Sequence, residues 1–578
     1  MISNRFTLEH AFYLLALALA ISLRLLALGA APLAEGEAGL AVQAYNVAGG
    51  ERVALDPQPG YLALTGSTFA LFGSSEFTAR LWPALAGGLL ALVPFFFRRR
   101  LGREAALILA FGLALDPGLV AVSRQAGGPM LAAGLTLLAL GLAYSGYPIL
   151  AGIAAGFALL SGPTFLPGVL GLVIAWGLSR LFAPAGGEEP LALNGQGVSS
   201  WRDGVLAGLA TFVLAGTLFL RASEGLGAWL AELPAYLSGW ATPSGVPASR
   251  LLAALVVYQP LALIFAWIGA LRGWLRGDWL AKMLSIWLAI AILLALLYPD
   301  RQVSDLVWAL IPLWALAALE LARYLLTPSE NLVVSLGQAA LLFFLMALVW
   351  LNIAGLGQIE PQAPDYLARL ALIAGVLGLG AVTSSLVGLG WSWQAARQGL
   401  VWGVCAALGV YTLAGMWGSA YLRAPGRVEL WRPIPASADT GLLMKTLADL
   451  SIWKTGETDS IDVTLAVDSP ALRWALREYP RLSVVPEGDQ LLARGSPSIV
   501  ITRQDVKGPA LEASYRGQDF VIDDYPGWAG ALPLNVARWL AFRLAPQGEA
   551  QVILWARVDL FPGGALSGAQ PSDGLEGP

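Results

Sequence analysis

The chain has almost none of the residues that thiol and imidazole chemistry require. Its 578 residues include one cysteine, Cys405, and one histidine, His10. Cys405 falls within an apolar run, which excludes a disulfide framework and a cysteine-based metal site. His10 stands just before the first apolar run, so histidine-based acid–base or metal chemistry is effectively excluded.

Charge is also scarce. Charged residues make up 13% of the sequence and hydrophobic residues 57%, whereas a soluble domain has about a quarter charged residues. The net charge of −4 argues against nucleic acid as a partner. There is no internal repeat, so the inverted-repeat pattern of many secondary transporters is missing. With a mean hydropathy of +0.66, the composition predicts a polytopic α-helical membrane protein.

Apolar runs long enough to cross a hydrocarbon core of about 30 Å recur along most of the chain. The first contains Arg24 and is followed by Pro32-Leu-Ala-Glu35. We interpret it as a retained span, with a removed signal peptide as the alternative. About thirteen transmembrane helices are predicted, near residues 11–31, 80–97, 104–121, 129–145, 147–161, 164–182, 204–221, 251–271, 280–298, 304–322, 331–355, 367–390 and 399–421.

The distribution of basic residues predicts the orientation, because cytoplasmic loops carry an excess of Lys and Arg. With a cytoplasmic N-terminus, one side of the membrane collects Arg98, Arg99, Arg100, Arg103, Arg180, Arg202, Arg272, Arg276, Lys282, Arg323 and Arg397. The other side is mainly acidic, and Arg52, Arg221 and Arg250 are its basic exceptions. The prediction is a multi-pass plasma-membrane protein whose chain after Leu422 lies outside.

Two stretches are predicted to lie outside the membrane. Residues 183–200 are Gly-rich and polar, which indicates a cytoplasmic linker. After a transmembrane domain of residues 1–422, residues 423–563 predict a small extracytoplasmic α/β domain, and residues 564–578 a disordered tail. Within that domain we expect strands at 461–467, 498–502 and 551–557, and helices at 471–479 and 535–543.

Ionisable groups beside a span are functional candidates, because they are costly to hold there. Glu35 and Glu37 follow the first span. They could act as a general base or hold a divalent cation, and the alternative is a pair of ordinary surface glutamates. Asp116 precedes Pro117 at the predicted outer end of the third span. It is either a second carboxylate of the same cavity or a helix-end residue that reaches water.

Three arginines are candidates for binding a phosphate, for which the guanidinium group is well shaped. Arg80 and Arg124 lie at the predicted outer face, where the charge bias does not favour them. Their alternative role is snorkelling to the interface. Arg301 belongs to the charged turn Tyr298-Pro-Asp-Arg-Gln-Val-Ser-Asp305, which could hold a lipid phosphate or be an ordinary short loop.

The order of these features resembles the C-type superfamily of membrane glycosyltransferases, closest to its protein O-mannosyltransferase and aminoarabinose transferase branch (glycosyltransferase family 39). Gly36-Glu37-Ala38 matches the Asp-Glu-Ala pattern of the family's first outer loop. The segment 59–64 resembles the start of its amphipathic outer segment. This makes Tyr61 a candidate cavity residue, with an interfacial aromatic anchor as the alternative. The segments 72–83 and 116–124 resemble the family's Arg-Leu-Pro span and its Ser-Arg ending.

The sequence departs from the family at three places. Gly36 stands where the family has Asp, and a second Asp that often follows Ser-Arg falls within Gly127-Gly-Pro-Met130. The family's basic residue and tyrosine before a late span become Arg301 and Asp305, without the tyrosine. Fold and ancestry are therefore better supported than activity.

The resemblance implies a transferase that moves a sugar from a polyprenyl-phosphate donor to an outer-face acceptor of the cell envelope, with inversion. Glu37 would be the general base or cation ligand, and Arg80, Arg124 and Arg301 would hold the lipid phosphate. The acceptor would be a glycan, a lipid or a protein. The candidate cofactor is a divalent cation.

Two alternatives stay open. The missing aspartates favour a non-catalytic relative that binds lipid-linked sugar or scaffolds an envelope assembly. A transporter or flippase has less support, because charges are rare within the spans. In the C-terminal domain, four aromatic residues could stack on a sugar acceptor or fill the core, namely Trp474, Tyr479, Tyr525 and Trp528.

Overall fold

The computed structural model describes residues 7–182, 198–325, 330–360, 362–423, 426–431, 439–485, 496–504, 513–528 and 530–561. The predicted linker 183–200 and the predicted tail 564–578 fall mostly or wholly outside these ranges. The described residues group into two compact units. The first comprises residues 1–30, 43–433 and 528–546, and the second residues 31–42, 434–527 and 547–578.

Helices dominate the chain up to residue 419. The N-terminal ten are α1 Leu8–Leu25, α2 Glu35–Gly49, α3 Pro59–Phe72, α4 Glu76–Leu89, α5 Val93–Leu101, α6 Arg103–Leu115, α7 Pro117–Ser123, α8 Pro129–Tyr144, α9 Pro148–Leu159 and α10 Phe165–Arg180. The next ten are α11 Val198–Gly216, α12 Glu224–Leu230, α13 Glu232–Ser238, α14 Ala248–Tyr258, α15 Pro260–Arg276, α16 Trp279–Leu297, α17 Val307–Leu325, α18 Leu332–Leu356, α19 Pro364–Gly390 and α20 Trp393–Ser419. Single 3₁₀ turns at Leu90–Leu92 and Val303–Leu306 precede α5 and α17.

The helices confirm a multi-pass membrane protein, but they do not confirm thirteen spans. By length and composition, seven helices of the described ranges could cross a membrane, or nine if two bent pairs each count as one span. Three shorter apolar helices, α8, α9 and α10, occupy predicted spans but contain 16, 12 and 16 residues. A full crossing needs about 20 residues.

Two predicted spans are broken at a proline. The pair α6 and α7 bends by 53° at Asp116–Pro117, and the pair α14 and α15 bends by 92° at Gln259–Pro260. The span predicted at 251–271 is thus divided into two helices. Proline has no backbone N–H to donate, and its ring clashes with the preceding helical turn. A helix can therefore bend at a proline even where the sequence is apolar without interruption.

Helix α17 is the centre of the first unit. In the apolar 18-residue stretch of each helix, 83% is buried inside the protein for α17 with its preceding 3₁₀ turn and 6% for α19. Helix α17 packs against α6, α15 and α16. Hydropathy alone predicts both helices as plain spans, because a helix that is apolar all round fits either a lipid or a protein environment.

The second unit contains one mixed sheet of five strands. These are β1 Val463–Leu465, β2 Leu482–Val484, β3 Ile499–Arg503, β4 Tyr515–Pro526 and β5 Gln547–Arg557, in the order β2-β1-β3-β5-β4. The pairs of β1 with β2 and with β3 are parallel, and those of β5 with β3 and with β4 are antiparallel. The helices α21 Asp439–Thr455 and α22 Pro470–Ala475 belong to the same unit. The sequence predicted β1, β3, β5 and α22 but missed β2, β4 and α21.

The predicted helix at 535–543 is α23, Val536–Phe542, and it belongs to the first unit. Asn535 caps its start by accepting from the backbone N–H of Arg538, 2.9 Å away. Two of the predicted sugar-stacking aromatics, Trp474 and Tyr479, are buried in the second unit, which is the core-packing alternative. Tyr525 is 47% exposed, and Trp528 belongs to the first unit.

Candidate functional site

A cavity of about 230 Å³ lies in the first unit where α16 ends. Several separate stretches of chain meet at its wall. Its polar wall residues are Gln58, Thr164, Tyr236, Tyr298, Asp300, Gln302, Ser304 and Asp305, and its apolar ones are Pro129, Pro163, Pro167, Ala291, Leu294, Ala295 and Trp308. The mixture of apolar surface with a few convergent polar groups is typical of a binding site for a small molecule.

The charged turn 298–305 forms much of this wall. Helix α16 ends before Pro299, which cannot continue it. The carboxylate of Asp305 then accepts from the backbone N–H of Gln302, 2.8 Å away, and so caps the 3₁₀ turn that leads into α17. The side chain of Gln302 caps the same turn in return, and together the two caps hold Asp300, Gln302, Ser304 and Asp305 at the cavity wall. That the turn binds a phosphate stays a prediction.

Two stacked tyrosines form an aromatic wall. The rings of Tyr236 and Tyr298 lie 4.9 Å apart with an interplanar angle of 19°, and Trp240 packs edge-on against both. The hydroxyl of Tyr298 donates to the backbone carbonyl of Tyr236 at 3.1 Å. Burial raises the pKa of Tyr298 to about 12, so the hydroxyl stays protonated as a donor.

Three chain segments cross closely behind the cavity, and glycines allow this. Gly162 has a φ of +108°, and a Cβ there would lie 2.6 Å from Cγ of Gln58. A Cβ on Gly128 would collide with the backbone carbonyl of Ser161. The side chain of Gln58 accepts from the backbone N–H of Gly128 at 2.7 Å. These contacts fix the position of Gln58 and Pro129 at the wall.

A buried acid, Glu232, lies next to this crossing. It is 3% exposed, and the backbone N–H of Gly162 bonds to its carboxylate. Its Oε1 atom finds no hydrogen-bond partner within the described ranges. Burial raises the pKa of Glu232 to about 8, which makes the neutral acid the dominant form near neutrality. Sequence analysis missed this residue because it has no distinguishing neighbours in the chain.

Arg301 turns away from the cavity wall. Its Nη1 donates to the backbone carbonyl of Val246 at 3.2 Å. The backbone carbonyl of Arg301 accepts from the Ser244 hydroxyl at 2.6 Å. Its Nε is buried and has no hydrogen-bond partner among the residues that the structure describes. The guanidinium therefore has unused donor capacity beside the charged turn.

Arg250 is a second buried arginine in this region. It follows Val246 by four residues, in α14, and α14 packs against the turn Val303–Leu306. Its side chain is 7% exposed and lies 5.6 Å from the ring centroid of Trp528. Within the described part of the chain, its Nε and Nη2 have no hydrogen-bond partner. Unsatisfied buried guanidinium donors are costly, and an anion would supply the acceptors that these two atoms lack.

Arg24 and Arg124 satisfy carbonyls at two neighbouring helix ends, Arg24 at the end of α6 and Arg124 at the end of α1. The guanidinium of Arg24 is fully buried and donates to Oγ of Ser123 and to the backbone carbonyls of Leu113 and Ala114, each at 3.1 Å. Arg124 donates to the carbonyls of Leu23, Arg24, Leu26 and Ala27 at 2.7 to 3.2 Å. These are carbonyls that the last turn of a helix leaves unsatisfied.

Asp116 is fully buried at the bend between α6 and α7. One carboxylate oxygen accepts from the backbone N–H of Leu119 at 2.7 Å and caps α7, and the other accepts from the indole N–H of Trp314 at 2.6 Å. Arg24 is its electrostatic partner. Asp116 therefore neither reaches water nor belongs to the wall of the cavity at the end of α16.

Arg80 and Tyr61 are also buried, at 1% and 0% exposure. Arg80 donates to the carbonyl of Leu28 at 3.2 Å, so it lies at the same end of α1 as Arg124. The hydroxyl of Tyr61 donates to the carbonyl of Ala79 at 2.8 Å. This places Tyr61 between α3 and α4, and its ring is not an interfacial anchor.

The predicted acidic segment is the start of α2, and Glu35 and Glu37 belong to the second unit. The carboxylate of Glu35 accepts from the Ser469 hydroxyl and from the backbone N–H of Ala471, the latter at 3.0 Å. It thus helps Ser469 to cap α22. Glu37 is 7% exposed, and its Oε2 accepts from the backbone N–H of Ala34 at 3.1 Å. Neither is an ordinary surface glutamate.

The candidates thus separate into three groups. Arg80, Arg124 and Asp116 lie around the end of α1 and the α6–α7 bend. Arg301 belongs to the charged turn at the cavity, and Arg250 belongs to α14, which packs against the turn Val303–Leu306. Glu35 and Glu37 belong to the second unit. Across the ranges that the structure describes, no group of three or more His, Cys, Asp or Glu residues could hold a metal ion.

Comparison with family models and with curated proteins gives no match. Comparison with solved structures shows a shared fold. The fold is similar to that of ArnT from Cupriavidus metallidurans. The ArnT structure bound to undecaprenyl phosphate has a TM-score of 0.56 at 16% identity, over 95% of this chain and 99% of that chain.

The apo structure of ArnT gives the same TM-score at 17% identity, over 94% of this chain and all of that chain. The oligosaccharyltransferase AglB from Archaeoglobus fulgidus, in complex with an inhibitory peptide and a dolichol-phosphate, has a TM-score of 0.41 at 12% identity. It covers 86% of this chain and 69% of that chain, and the fold assignment does not depend on it. The resemblance predicted from the N-terminal motifs is confirmed for the fold.

Proposed function

We propose that this protein is a membrane glycosyltransferase that moves a sugar from a polyprenyl-phosphate donor to an acceptor at the outer membrane face. The observation that carries the proposal is the similarity to ArnT along 95% of the chain, together with the undecaprenyl phosphate bound in that relative. The outer face and the cytoplasmic N-terminus follow from the charge bias of the loops.

The cavity at the end of α16 supports a glycosyl pocket. The stacked pair Tyr236 and Tyr298 offers an aromatic surface for the apolar face of a sugar ring. Gln58, Asp300 and Asp305 offer acceptors for its hydroxyls. Because the wall contains two carboxylates and no Lys or Arg among its described residues, it favours a neutral or amino sugar over a uronic acid.

The donor phosphate fits beside Arg250 and Arg301. Arg250 is buried and Arg301 is half-buried, and each has guanidinium donors without a hydrogen-bond partner in the described part of the first unit. A phosphate supplies the missing acceptors and the opposite charge. During transfer, negative charge builds up on the leaving phosphate, and fixed guanidinium donors in a water-poor site stabilise it. Arg250 was recorded in the sequence only as an exception to the charge bias.

Arg80 and Arg124 have a different role in this proposal. Their hydrogen bonds to the carbonyls after α1 make them positioning residues that hold the outer end of that helix. Asp116 likewise holds the α6–α7 bend through Leu119 and Trp314. Glu37 stays the candidate general base or cation ligand, and the divalent cation stays a prediction.

A catalytically degenerate relative is the second candidate function. The observation that favours it is the use of nearby carboxylates for structure, since Glu35 caps α22 and Asp116 caps α7. Such a protein would bind the lipid-linked sugar without transferring it, or would organise an envelope assembly.

The test is sugar release by the purified full chain in nanodiscs with a panel of radiolabelled polyprenyl-phosphate sugars. The panel contains a neutral hexose, an amino sugar and a uronic acid on the same lipid. We expect turnover of a neutral or amino sugar that Glu37→Gln abolishes. If every donor of the panel binds saturably and none releases its sugar, the transferase proposal is wrong and the catalytically degenerate relative is favoured.

A further inference from the structure

A second, smaller cavity lies at the opposite end of α16 from the glycosyl pocket. Its volume is about 60 Å³, which is room for one phosphate group in place of a few waters. It is lined by Arg272, Arg276 and Gly273 of α15, by Asp278 before α16, and by Glu320 and Arg323 of α17. Helix α16 has 19 residues and is therefore about 28 Å long. The two cavities are thus about one hydrocarbon thickness apart.

The charges at this cavity favour an anion. Three guanidiniums face two carboxylates, and both carboxylates are already engaged. Glu320 is 1% exposed and pairs with Arg272 at 2.8 Å and with Arg323 at 3.7 Å. Asp278 caps α16 by accepting from the backbone N–H of Leu280 at 3.0 Å. One net positive charge is left over, and Arg276 is the guanidinium that has no carboxylate partner among the ion pairs of this cavity.

The protein surface beside the cavity favours a lipid over a free ion. The outward face of α15 is apolar and exposed at Trp267, Leu271 and Leu275, with exposures of 77%, 60% and 79%. These residues are four apart and so form one stripe along the helix. Acyl chains on this stripe would bring a headgroup phosphate to the level of Arg272 and Arg276.

The aromatic residues near the cavity are tyrosine and tryptophan, the types that are enriched at membrane interfaces. Arg272 donates to the hydroxyl of Tyr324 at 2.8 Å, and Lys282 lies 5.5 Å from the ring centroid of Trp274. Trp and Tyr are enriched at the headgroup level. The basic loops of the sequence predict that this is the cytoplasmic end, where the leaflet surface is negatively charged.

We propose that the cavity between α15, α16 and α17 binds the headgroup phosphate of an anionic phospholipid of the surrounding membrane. The ligand chemistry is a phosphate group with attached acyl chains. Arg276 and Arg323 make the adjustable contacts, while Arg272 stays paired with Glu320. The site is separate from the glycosyl pocket and does not depend on transferase activity.

Native mass spectrometry of the delipidated full chain tests this. The probes are phosphatidylglycerol and phosphatidylcholine with the same acyl chains, and inorganic phosphate as a competitor. We expect phosphatidylglycerol to be retained and phosphatidylcholine not. The double variant Arg276→Gln/Arg323→Gln should lose about tenfold in phosphatidylglycerol affinity, because charge-assisted hydrogen bonds are removed. The matched control is Arg397→Gln, a variant of an exposed arginine in α20, which should bind as the parent does.

The outcomes separate the sources of the anion. Equal retention of the two lipids, or equal affinity of parent and double variant, overturns the site. If millimolar inorganic phosphate displaces phosphatidylglycerol completely, the cavity binds a free phosphate ion, and the proposal of a lipid ligand is overturned. If the double variant melts well below the parent, the single variant Arg276→Gln is tested in its place, because it leaves Arg272 and Arg323 paired with Glu320. The single variant must still lower the affinity for phosphatidylglycerol.

Discussion

Arg543 and Glu429 form an ion pair in which both side chains are almost completely buried. Nε of Arg543 lies 3.5 Å from Oε2 of Glu429, and their side chains are 3% and 2% exposed. Glu429 also accepts a hydrogen bond from the Tyr258 hydroxyl at the α14–α15 bend and pairs with Arg423 at 3.6 Å. The pair therefore ties α23 to the bend and to the chain after α20.

Breaking this pair on one side should destabilise the first unit. Arg543→Met leaves Glu429 short of a partner in a buried site, and the expected loss is about 3–5 kcal/mol. The double variant Arg543→Met/Glu429→Gln should recover part of this loss. Thermal unfolding in detergent measures both. A single variant as stable as the parent would show that the buried charge is compensated elsewhere.

Arg250→Gln and Arg301→Gln should weaken donor binding. Each removes a guanidinium with unused donors, and a hydrogen bond to a charged group contributes about 1.5–3 kcal/mol, or about 10- to 150-fold in affinity. Binding of a fluorescent polyprenyl phosphate in nanodiscs measures the loss. Arg221→Gln is the control, because Arg221 is exposed and belongs to the same predicted face. If both variants bind the polyprenyl phosphate as tightly as the parent, Arg250 and Arg301 do not form the phosphate site.

Asp116→Asn should act on stability and not on chemistry. The amide can accept from either Leu119 or Trp314, but its NH₂ group then faces the other donor, and Arg24 loses its opposite charge. We expect a loss of about 2–4 kcal/mol, seen as a lower melting temperature. The folded fraction should keep its kcat. A kcat that falls at unchanged melting temperature would return Asp116 to the list of catalytic candidates.

Glu37→Gln and Glu35→Gln should have different effects. If Glu37 is the general base, its variant loses about 100-fold or more in kcat while donor affinity stays the same. Glu35→Gln weakens the cap of α22, which should lower the stability of the second unit by about 1 kcal/mol with little change in kcat. Single-turnover kinetics and differential scanning fluorimetry separate the two. Equal kcat in parent and Glu37→Gln would exclude the base.

Glu232 should make stability depend on pH. Its folded pKa is raised from 4.5 to about 8 by burial, so the folded protein keeps a proton that the unfolded chain releases. Its contribution to stability is complete below about pH 4.5 and declines as the pH rises to about 8. Glu232→Gln should flatten this decline. Melting temperatures of parent and variant between pH 5 and 8.5 test it, and parallel curves would contradict it.

The particular failures of the sequence analysis have a common physical origin. Arg250, Glu232 and Glu429 are single charged residues in ordinary surroundings, and nothing local distinguishes them from loop or helix-end charges. They matter because they are buried, and burial depends on which distant segments meet. Gly162 and Gln58 show the same point, since their close approach joins segments that are about a hundred residues apart in the chain.

The sequence by itself determined the membrane class, the positions of most helices and three of the five strands of the C-terminal sheet. These depend on hydropathy, proline and cap residues, which act over a few neighbouring residues. Motif order also predicted the fold that the chain shares with ArnT. Only the tertiary structure decided that Asp116 and Arg124 complete helix ends, that Arg250 is buried, and that Asp300 and Asp305 face a cavity. Those outcomes depend on desolvation and hydrogen-bond partners, which come from segments far apart in the chain.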